Sequence, residues 1–174
     1  MPLLKDGKIV DDIWAFVEDG HELSPGGCIV VSLGRFLSEH DQLLARNQSI
    51  GVRLAVSDDP ALLAPFLDQL HLIELQFPKY TDGRAFSQSQ LLRRRYSYKG
   101  EIRATGQVLR DQLRLMIRSG FDAMIIPEGE LGADAEAVFD ISAHEFSEFY
   151  QAASDTTDTI FMKRQKKREA KAAK

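Results

Sequence analysis

Residues 72–84 read LIELQFPKYTDGR, and this stretch decides the interpretation of the fold. Its first part, Leu72–Phe77, is a short apolar run with the length of a buried β-strand. Its second part, Pro78–Arg84, is a loop rich in charged and turn-forming residues. A buried strand that runs directly into a polar loop is typical of α/β sheets, which bind ligands at the carboxyl ends of their strands.

Other apolar runs, separated by amphipathic stretches of helical periodicity, surround this strand. The predicted strands are Cys28–Leu33, Ile50–Val56, Leu72–Phe77, Glu101–Thr105 and Phe121–Ile126. Strands that alternate with helices form βαβ units with right-handed crossovers and parallel pairing. The sequence therefore predicts a single α/β domain with a mainly parallel sheet of about five strands and alternating helices. An open sheet and a partial barrel both fit this pattern. The apolar segment before Cys28 packs on the same domain in this interpretation, but its pattern does not distinguish helix from strand.

The α/β domain is predicted to span residues 1–152, and residues 153–174 are predicted to form a basic C-terminal tail that is flexible or helical. Apolar residues stop at Met162, so the Lys- and Ala-rich end has nothing to pack with. No apolar run approaches the ~20 residues of a membrane span, and charged residues follow Leu4 at once where a signal peptide would be apolar. We therefore expect a cytoplasmic protein without a membrane anchor.

The composition excludes several kinds of chemistry. Hydrophobic residues make up 44% and charged residues 28% of the 174-residue chain, as in a soluble globular protein. The single cysteine, Cys28, excludes an intramolecular disulfide, a cysteine-ligated iron–sulfur cluster and a multi-cysteine zinc site. The histidines are scattered without ligand spacing, so no metal site is predicted. No cofactor is predicted either, because the sequence has neither a Gly-x-Gly-x-x-Gly nor a phosphate-loop motif.

Charge is distributed unevenly along the chain. The formal net charge is −4, yet residues 84–118 carry a charge of +7 and residues 163–174 a charge of +6. Two basic zones suggest nucleic-acid binding. The sequence pI of about 5.6 and the absence of a helix-turn-helix, zinc-finger or RNA-binding motif argue against that function. An oxyanion or an acidic protein is the better match for the inner basic zone.

The candidate site lies in two loops at the predicted ligand edge. Pro78–Arg84 follows one strand, and Gly106-Gln107 follows the next and opens a predicted helix Gln107–Ser119. These loops are predicted to bring Lys79, Arg84 and Arg110 together as an anion- or partner-binding site, near two helix N-termini.

Three further residues belong to this prediction. Arg103, on the strand itself, is included as a fourth binding residue, although its place on a strand leaves open whether it faces the loops. Asp82 and Asp111 are candidate general acids or bases if they are buried near the cations. Salt bridges to Arg84 or Arg110 are the default interpretation of these two carboxylates.

Several of the runs named above and their neighbours form a pattern that resembles a known bacterial family. They are Ile50–Ala55, Phe77–Arg84, Leu91–Arg93, Glu101–Ala104, Val108–Gln112 and Gly120–Asp122. The family is domain of unknown function 934, and the run Phe77–Arg84 is the most specific part of the resemblance, which covers about residues 8–151. Gln107 stands where an acid is common in the family, and this departure weakens any proposal that the family's acid there is catalytic.

What the resemblance implies is a place in sulfur metabolism without an established reaction. Genes of this family typically sit beside those of assimilatory sulfite reductase and of the reductase for activated sulfate, and members are often labelled oxidoreductases. The residues of this sequence give that label no independent support. The resemblance thus implies an accessory role in cysteine biosynthesis, with sulfite reductase or another enzyme of sulfate assimilation as the expected partner.

Three hypotheses remain open at this point. The leading one is a cytoplasmic accessory protein of assimilatory sulfate and sulfite reduction that binds a small oxyanion or an acidic redox partner through Lys79, Arg84, Arg103 and Arg110. The second is an enzyme that acts on an anionic small molecule with Asp82 or Asp111 as its acid or base. The third is a protein-docking module with no pocket of its own.

Overall fold

The structure is a computed structural model, and it describes residues 2–5, 8–24 and 26–127. The strands are β1 (Leu3–Lys5), β2 (Lys8–Val10), β3 (Trp14–Phe16), β4 (Cys28–Ser32), β5 (Ile50–Leu54), β6 (Leu72–Phe77), β7 (Glu101–Gly106) and β8 (Ala123–Ile125). The α-helices are α1 (Leu33–Leu44), α2 (Arg84–Gln90) and α3 (Leu113–Ser119). Two 3₁₀ helices, Pro60–Gln69 and Arg110–Gln112, and a π-helical turn, Leu91–Arg95, complete the regular elements of the described residues.

All of these strands form one sheet in the order β2-β1-β8-β7-β6-β5-β4-β3. The strands from β3 to β8 pair in parallel with one another. β1 pairs antiparallel with both β2 and β8. The α/β class is therefore confirmed. The prediction of a mainly parallel sheet of about five strands was wrong, because the sheet that the described residues form is mixed and has eight strands.

The strands missing from the prediction all precede Cys28. Each of β1, β2 and β3 has three residues, which is too short for an alternating pattern to be seen in the sequence. Such strands are stable because a neighbour supplies their hydrogen bonds: β1 adds to β8 and β3 adds to β4. Tertiary context, which the sequence pattern does not record, determines their structure.

The sheet is curled into a half-barrel, so the partial barrel is the correct one of the two alternatives. The covalent chain requires this curvature, because β2 and β3 are the opposite edges of the sheet and yet only residues 11–13 connect them. In a flat sheet, seven strand spacings of about 4.8 Å would place the edges about 34 Å apart. The chain from Val10 to Trp14 spans at most about 14 Å.

The hydrophobic core lies between the outer face of this sheet and the helices. Side chains alternate along each strand, so Val52, Ile73 and Ile102 face the helices while the residues beside them face inward. The helical segments bury Phe36, Leu63, Leu92 and Met116 against that face. Removal of these apolar side chains from water is the main source of stability for such a layer.

The helix predicted after β7 begins later than expected. The predicted helix Gln107–Ser119 is a 3₁₀ helix, Arg110–Gln112, followed by α3, which begins only at Leu113. It starts late because the residues after Gly106 return to the sheet, where the N–H of Gln107 donates to the carbonyl of Phe77 at 2.8 Å. The segment Pro60–Gln69 is a 3₁₀ helix, and Pro65 within it has no N–H for an α-helical bond.

The predicted boundary at residues 152 and 153 and the basic tail 153–174 lie outside the described residues. Among the helices that the structure describes, none combines the length and the apolar character needed to span a bilayer.

Candidate functional site

The loops after β6 and β7 are joined through the main chain of Tyr80. The side-chain carbonyl of Gln107 accepts a hydrogen bond from the Tyr80 N–H at 3.2 Å, and the side-chain amide of Gln112 donates to the Tyr80 carbonyl at 2.8 Å. We call residues 78–84 and 107–112 the edge loops. The prediction that these two loops meet at the carboxyl edge of the sheet therefore agrees with the geometry.

Gly106 allows the second edge loop to leave β7 so close to β6. It has a φ of +97°, a left-handed conformation that side chains disfavour. A Cβ at this position would lie 2.3 Å from the carbonyl oxygen of Phe77. The same carbonyl accepts the hydrogen bond from the N–H of Gln107, so only glycine permits this approach of the two strands' ends.

Asp82 and Arg84 form an ion pair within the first edge loop. The guanidinium of Arg84 donates from Nε and Nη2 to the two carboxylate oxygens of Asp82, at 3.0 and 2.7 Å. The hydrogen bonds from Arg84 hold the pKa of the Asp82 carboxyl below its ordinary value. This is the Asp82–Arg84 salt bridge that was the default interpretation of the sequence. In it Asp82 is an ionised hydrogen-bond acceptor rather than a proton donor.

Lys79, Arg110 and Asp111 are exposed on the same edge. None of the three makes a side-chain ion pair with another residue in the described part of the chain. Tyr80 stands among them with 53% of its surface exposed, although Gln107 and Gln112 of the second edge loop hold its main chain. The edge loops thus present an exposed aromatic ring together with cations that solvent can reach.

Arg103 does not belong to the edge loops. It lies in the middle of β7 on the inner face of the half-barrel, in register with Glu74 of β6, which in turn is in register with Arg53 of β5. We call Arg53, Glu74 and Arg103 the inner row. Arg103 is 1% exposed, so its charge requires partners within the protein.

Carboxylates supply those partners. Arg103 donates to Glu101 at 2.8 and 2.9 Å and to both oxygens of Asp12 at 2.9 and 3.0 Å. Glu74 lies between the two arginines, 2.7 Å from Nε of Arg53 and 3.7 Å from Nη1 of Arg103. Asp12 belongs to the short connection between the sheet edges, so its bonds to Arg103 fasten that connection across the inner face.

Lys5 completes the inner ion-pair network, because its amino group lies 2.6 Å from the second oxygen of Glu101. Among the described residues, the ion pairs of this network join three cations, Lys5, Arg53 and Arg103, to three carboxylates, Asp12, Glu74 and Glu101. Arg53, Asp12 and Glu74 were not predicted as site residues from the sequence. Arg53 and Glu74 each stand as a charged residue within an apolar strand run, which was a usable signal for these two.

A pocket of about 250 Å³ lies at the amino-terminal end of β7, away from the edge loops. It is lined by Lys5, Lys99, Gly100, Glu101 and Asp122. Its carboxylates already have partners: Glu101 pairs with Lys5 and Arg103, and Asp122 accepts from the N–H of Ile102 at 2.8 Å and pairs with Arg93. Burial raises the pKa of the Asp122 carboxyl. These bonds connect strand ends and loops, which is a structural role.

Within the part of the chain that the structure describes, no three His, Cys, Asp or Glu side chains converge in a way that holds a metal ion. Cys28 is a free, half-buried thiol at the start of β4.

The fold and these sites define a class of protein: an α/β half-barrel with a charge-balanced inner face and a cation-bearing carboxyl edge. The family model described as "Bacterial protein of unknown function (DUF934)" matches residues 51–161, and the chain belongs to this family. The match includes both edge loops and the whole inner row, whereas Asp12 and Lys5 precede it. The family resemblance seen in the sequence is confirmed, but the oxidoreductase label is not. No curated protein matches the chain.

Proposed function

We propose that this protein is a cytoplasmic accessory protein of assimilatory sulfate and sulfite reduction that docks an acidic redox partner through its edge loops. Lys79, Arg84 and Arg110 supply the charge, and Tyr80 supplies an aromatic contact. Sulfite reductase, or another enzyme of sulfate assimilation, is the proposed partner. The assignment to sulfur metabolism rests on the gene neighbourhood that membership of the family implies.

The observation that carries the docking function is the pair of hydrogen bonds to the main chain of Tyr80. They fix two loops from different strands as one surface before any partner arrives. A preorganised surface loses less conformational entropy on binding than two independent loops would. Exposed Tyr and Arg side chains are also the residue types that contribute most to protein interfaces.

A protein partner fits this edge better than a free oxyanion does. Arg84, with 61% of its side chain exposed, already pairs with Asp82, and solvent screens such an exposed ion pair so that it contributes little. A single small anion on such a surface gains little more. An acidic protein surface engages several cations and the Tyr80 ring at once, and complementary charges also accelerate its association.

The proposal predicts a growth defect that depends on the edge loops. A strain that lacks the gene is expected to grow slowly with sulfate as its only sulfur source and normally with cysteine. The wild-type gene restores growth on sulfate, and the triple variant Lys79→Gln, Arg84→Gln, Arg110→Gln does not, because its edge lacks the charge that attracts the partner.

The matched control is the triple variant Lys8→Gln, Arg95→Gln, Lys99→Gln, which removes the same charge from exposed positions elsewhere. It is expected to restore growth fully. Normal growth of the deletion strain on sulfate, or full rescue by the edge variant, would contradict the proposed function.

A further inference from the structure

We propose that the guanidinium of Arg53 anchors a second site, which binds a small oxyanion inside the mouth of the half-barrel. The ligand class is a compact anion with two oxygens able to face one guanidinium, such as a carboxylate or a tetrahedral sulfur or phosphorus oxyanion. The site goes beyond the proposed function, because none of its residues belongs to the edge loops.

The side chain of Arg53 is held in place before any ligand binds. Its Nε donates to Oε2 of Glu74 at 2.7 Å, and its guanidinium carbon lies 3.6 Å from the centre of the Phe16 ring. The ring fixes the plane of the guanidinium, and Glu74 fixes its rotation within that plane. Such positioning lowers the entropy that is lost when a ligand binds.

The outer end of the same guanidinium remains unused. In the described part of the chain, Nη1 and Nη2 of Arg53 donate no hydrogen bond, and 23% of the side chain is exposed to solvent. Arg103 in the same row shows the contrast, since its Nε, Nη1 and Nη2 all donate to carboxylates. The two outer nitrogens of Arg53 form the planar fork that binds two oxygens of one anion.

Two polar side chains lie beyond the inner row, at the carboxyl end of the inner face. Gln76 lies two residues beyond Glu74 on β6, and Thr105 lies two residues beyond Arg103 on β7, with the two in register with each other. Alternation along the strands places both on the inner face, and both are half-buried. Neither side chain has a hydrogen-bond partner among the described residues, so each is able to donate to a ligand.

The charge of the surroundings permits an anion there. Glu74 faces Arg53 on one side and Arg103 on the other, so its negative charge is shared between two cations. Among the described residues, the carboxylates of this network pair with Arg103, Lys5 and Nε of Arg53 rather than with the outer nitrogens of Arg53. The outer nitrogens of Arg53 are therefore donors that these carboxylates leave open.

The experiment is a titration of the full-length protein with sodium acetate and, separately, sodium sulfate, followed by amide and arginine side-chain NMR signals. Sodium chloride at matched ionic strength gives the reference. We expect saturable shifts of Arg53, Gln76 and Thr105 with at least one of the two anions. Preference for acetate would indicate a planar carboxylate ligand, and preference for sulfate a tetrahedral oxyanion.

Three variants locate the binding. Arg53→Lys keeps the charge but loses the fork, and it is expected to bind at least about tenfold more weakly. Thr105→Val leaves Arg53 in place and is expected to weaken binding by a smaller factor; it decides the question if Arg53→Lys does not fold. Arg84→Gln is expected to bind as tightly as the wild type, which separates this site from the edge loops.

Shifts no larger than those from sodium chloride, or binding that survives Arg53→Lys in a folded protein, would overturn the proposal. Neither result bears on docking by the edge loops, which depends on other residues.

Discussion

Arg103 and Arg84 belong to the same basic stretch of the sequence, residues 84–118, but they occupy opposite environments. The side chain of Arg103 is 1% exposed and is bound by carboxylates from β6, β7 and the connection between the sheet edges. The side chain of Arg84 is 61% exposed and, among the described residues, pairs only with a neighbour in its own loop. Burial of a charge is costly unless partners surround it, whereas an exposed charge needs none.

This difference in burial determines which cations of a basic stretch are available to a ligand. Each guanidinium nitrogen of Arg103 donates to a carboxylate within the protein, and these bonds connect the segments that form the inner face. The edge loops keep their cations in contact with solvent, where a partner can reach them. Arg53 is intermediate, since one end of its guanidinium is used by Glu74 and the other is open.

The largest expected effect comes from removal of the buried cation. Arg103→Met keeps an apolar stem of similar length but leaves Asp12, Glu74 and Glu101 with one cation fewer. We expect the free energy of unfolding to fall by about 3–5 kcal/mol, as when one partner of a buried ion pair is removed. Urea unfolding followed by circular dichroism measures this change.

The same substitution at the edge is the control. Arg84→Met is expected to leave the free energy of unfolding almost unchanged, because the side chain is exposed and solvent screens its ion pair. If Arg103→Met and Arg84→Met lowered the free energy of unfolding equally, burial would not distinguish the contributions of the two arginines.

The smallest expected effect is a change in the pKa of one carboxyl group, Asp82, in the first edge loop. Arg84 lowers the pKa of the Asp82 carboxyl, so Arg84→Gln is expected to return that pKa toward its ordinary value. Because the folded-state pKa is lowered, the stabilisation from this pair is present above the unfolded-state pKa and is lost as the pH falls through the folded-state pKa. A carboxyl carbon NMR titration measures it, with Arg110→Gln as the control; an unchanged Asp82 pKa in Arg84→Gln would refute the pairing.

The sequence predicted the parts of the fold that depend on local pattern. β6 has the predicted bounds, Leu72–Phe77, because an apolar run of strand length ends there at a proline. The meeting of the two edge loops was predictable as well, since parallel neighbours end at the same edge of a sheet. Gly120 ends α3 in a left-handed conformation, as a helix-terminating glycine commonly does.

The inner ion-pair network could not be predicted from the sequence. It depends on the register of β5, β6 and β7, and register is set by the packing of the whole sheet. The contribution of Asp12 depends on the curvature that brings distant segments together. Because Arg103 alternates with the core residues Ile102 and Ala104, the sequence does predict that it lies on the face opposite the core. The sequence does not predict which carboxylates it contacts there.

The central claim is that the edge loops, and not the inner network, form the docking surface. Its most direct test is the binding of purified sulfite reductase to the immobilised full-length protein at low and high salt. The account predicts binding at low salt that weakens as salt screens the charges, is lost in the Lys79→Gln, Arg84→Gln, Arg110→Gln variant and is kept in Arg53→Lys. No binding, binding that salt does not weaken, or unchanged binding by the edge variant would contradict it.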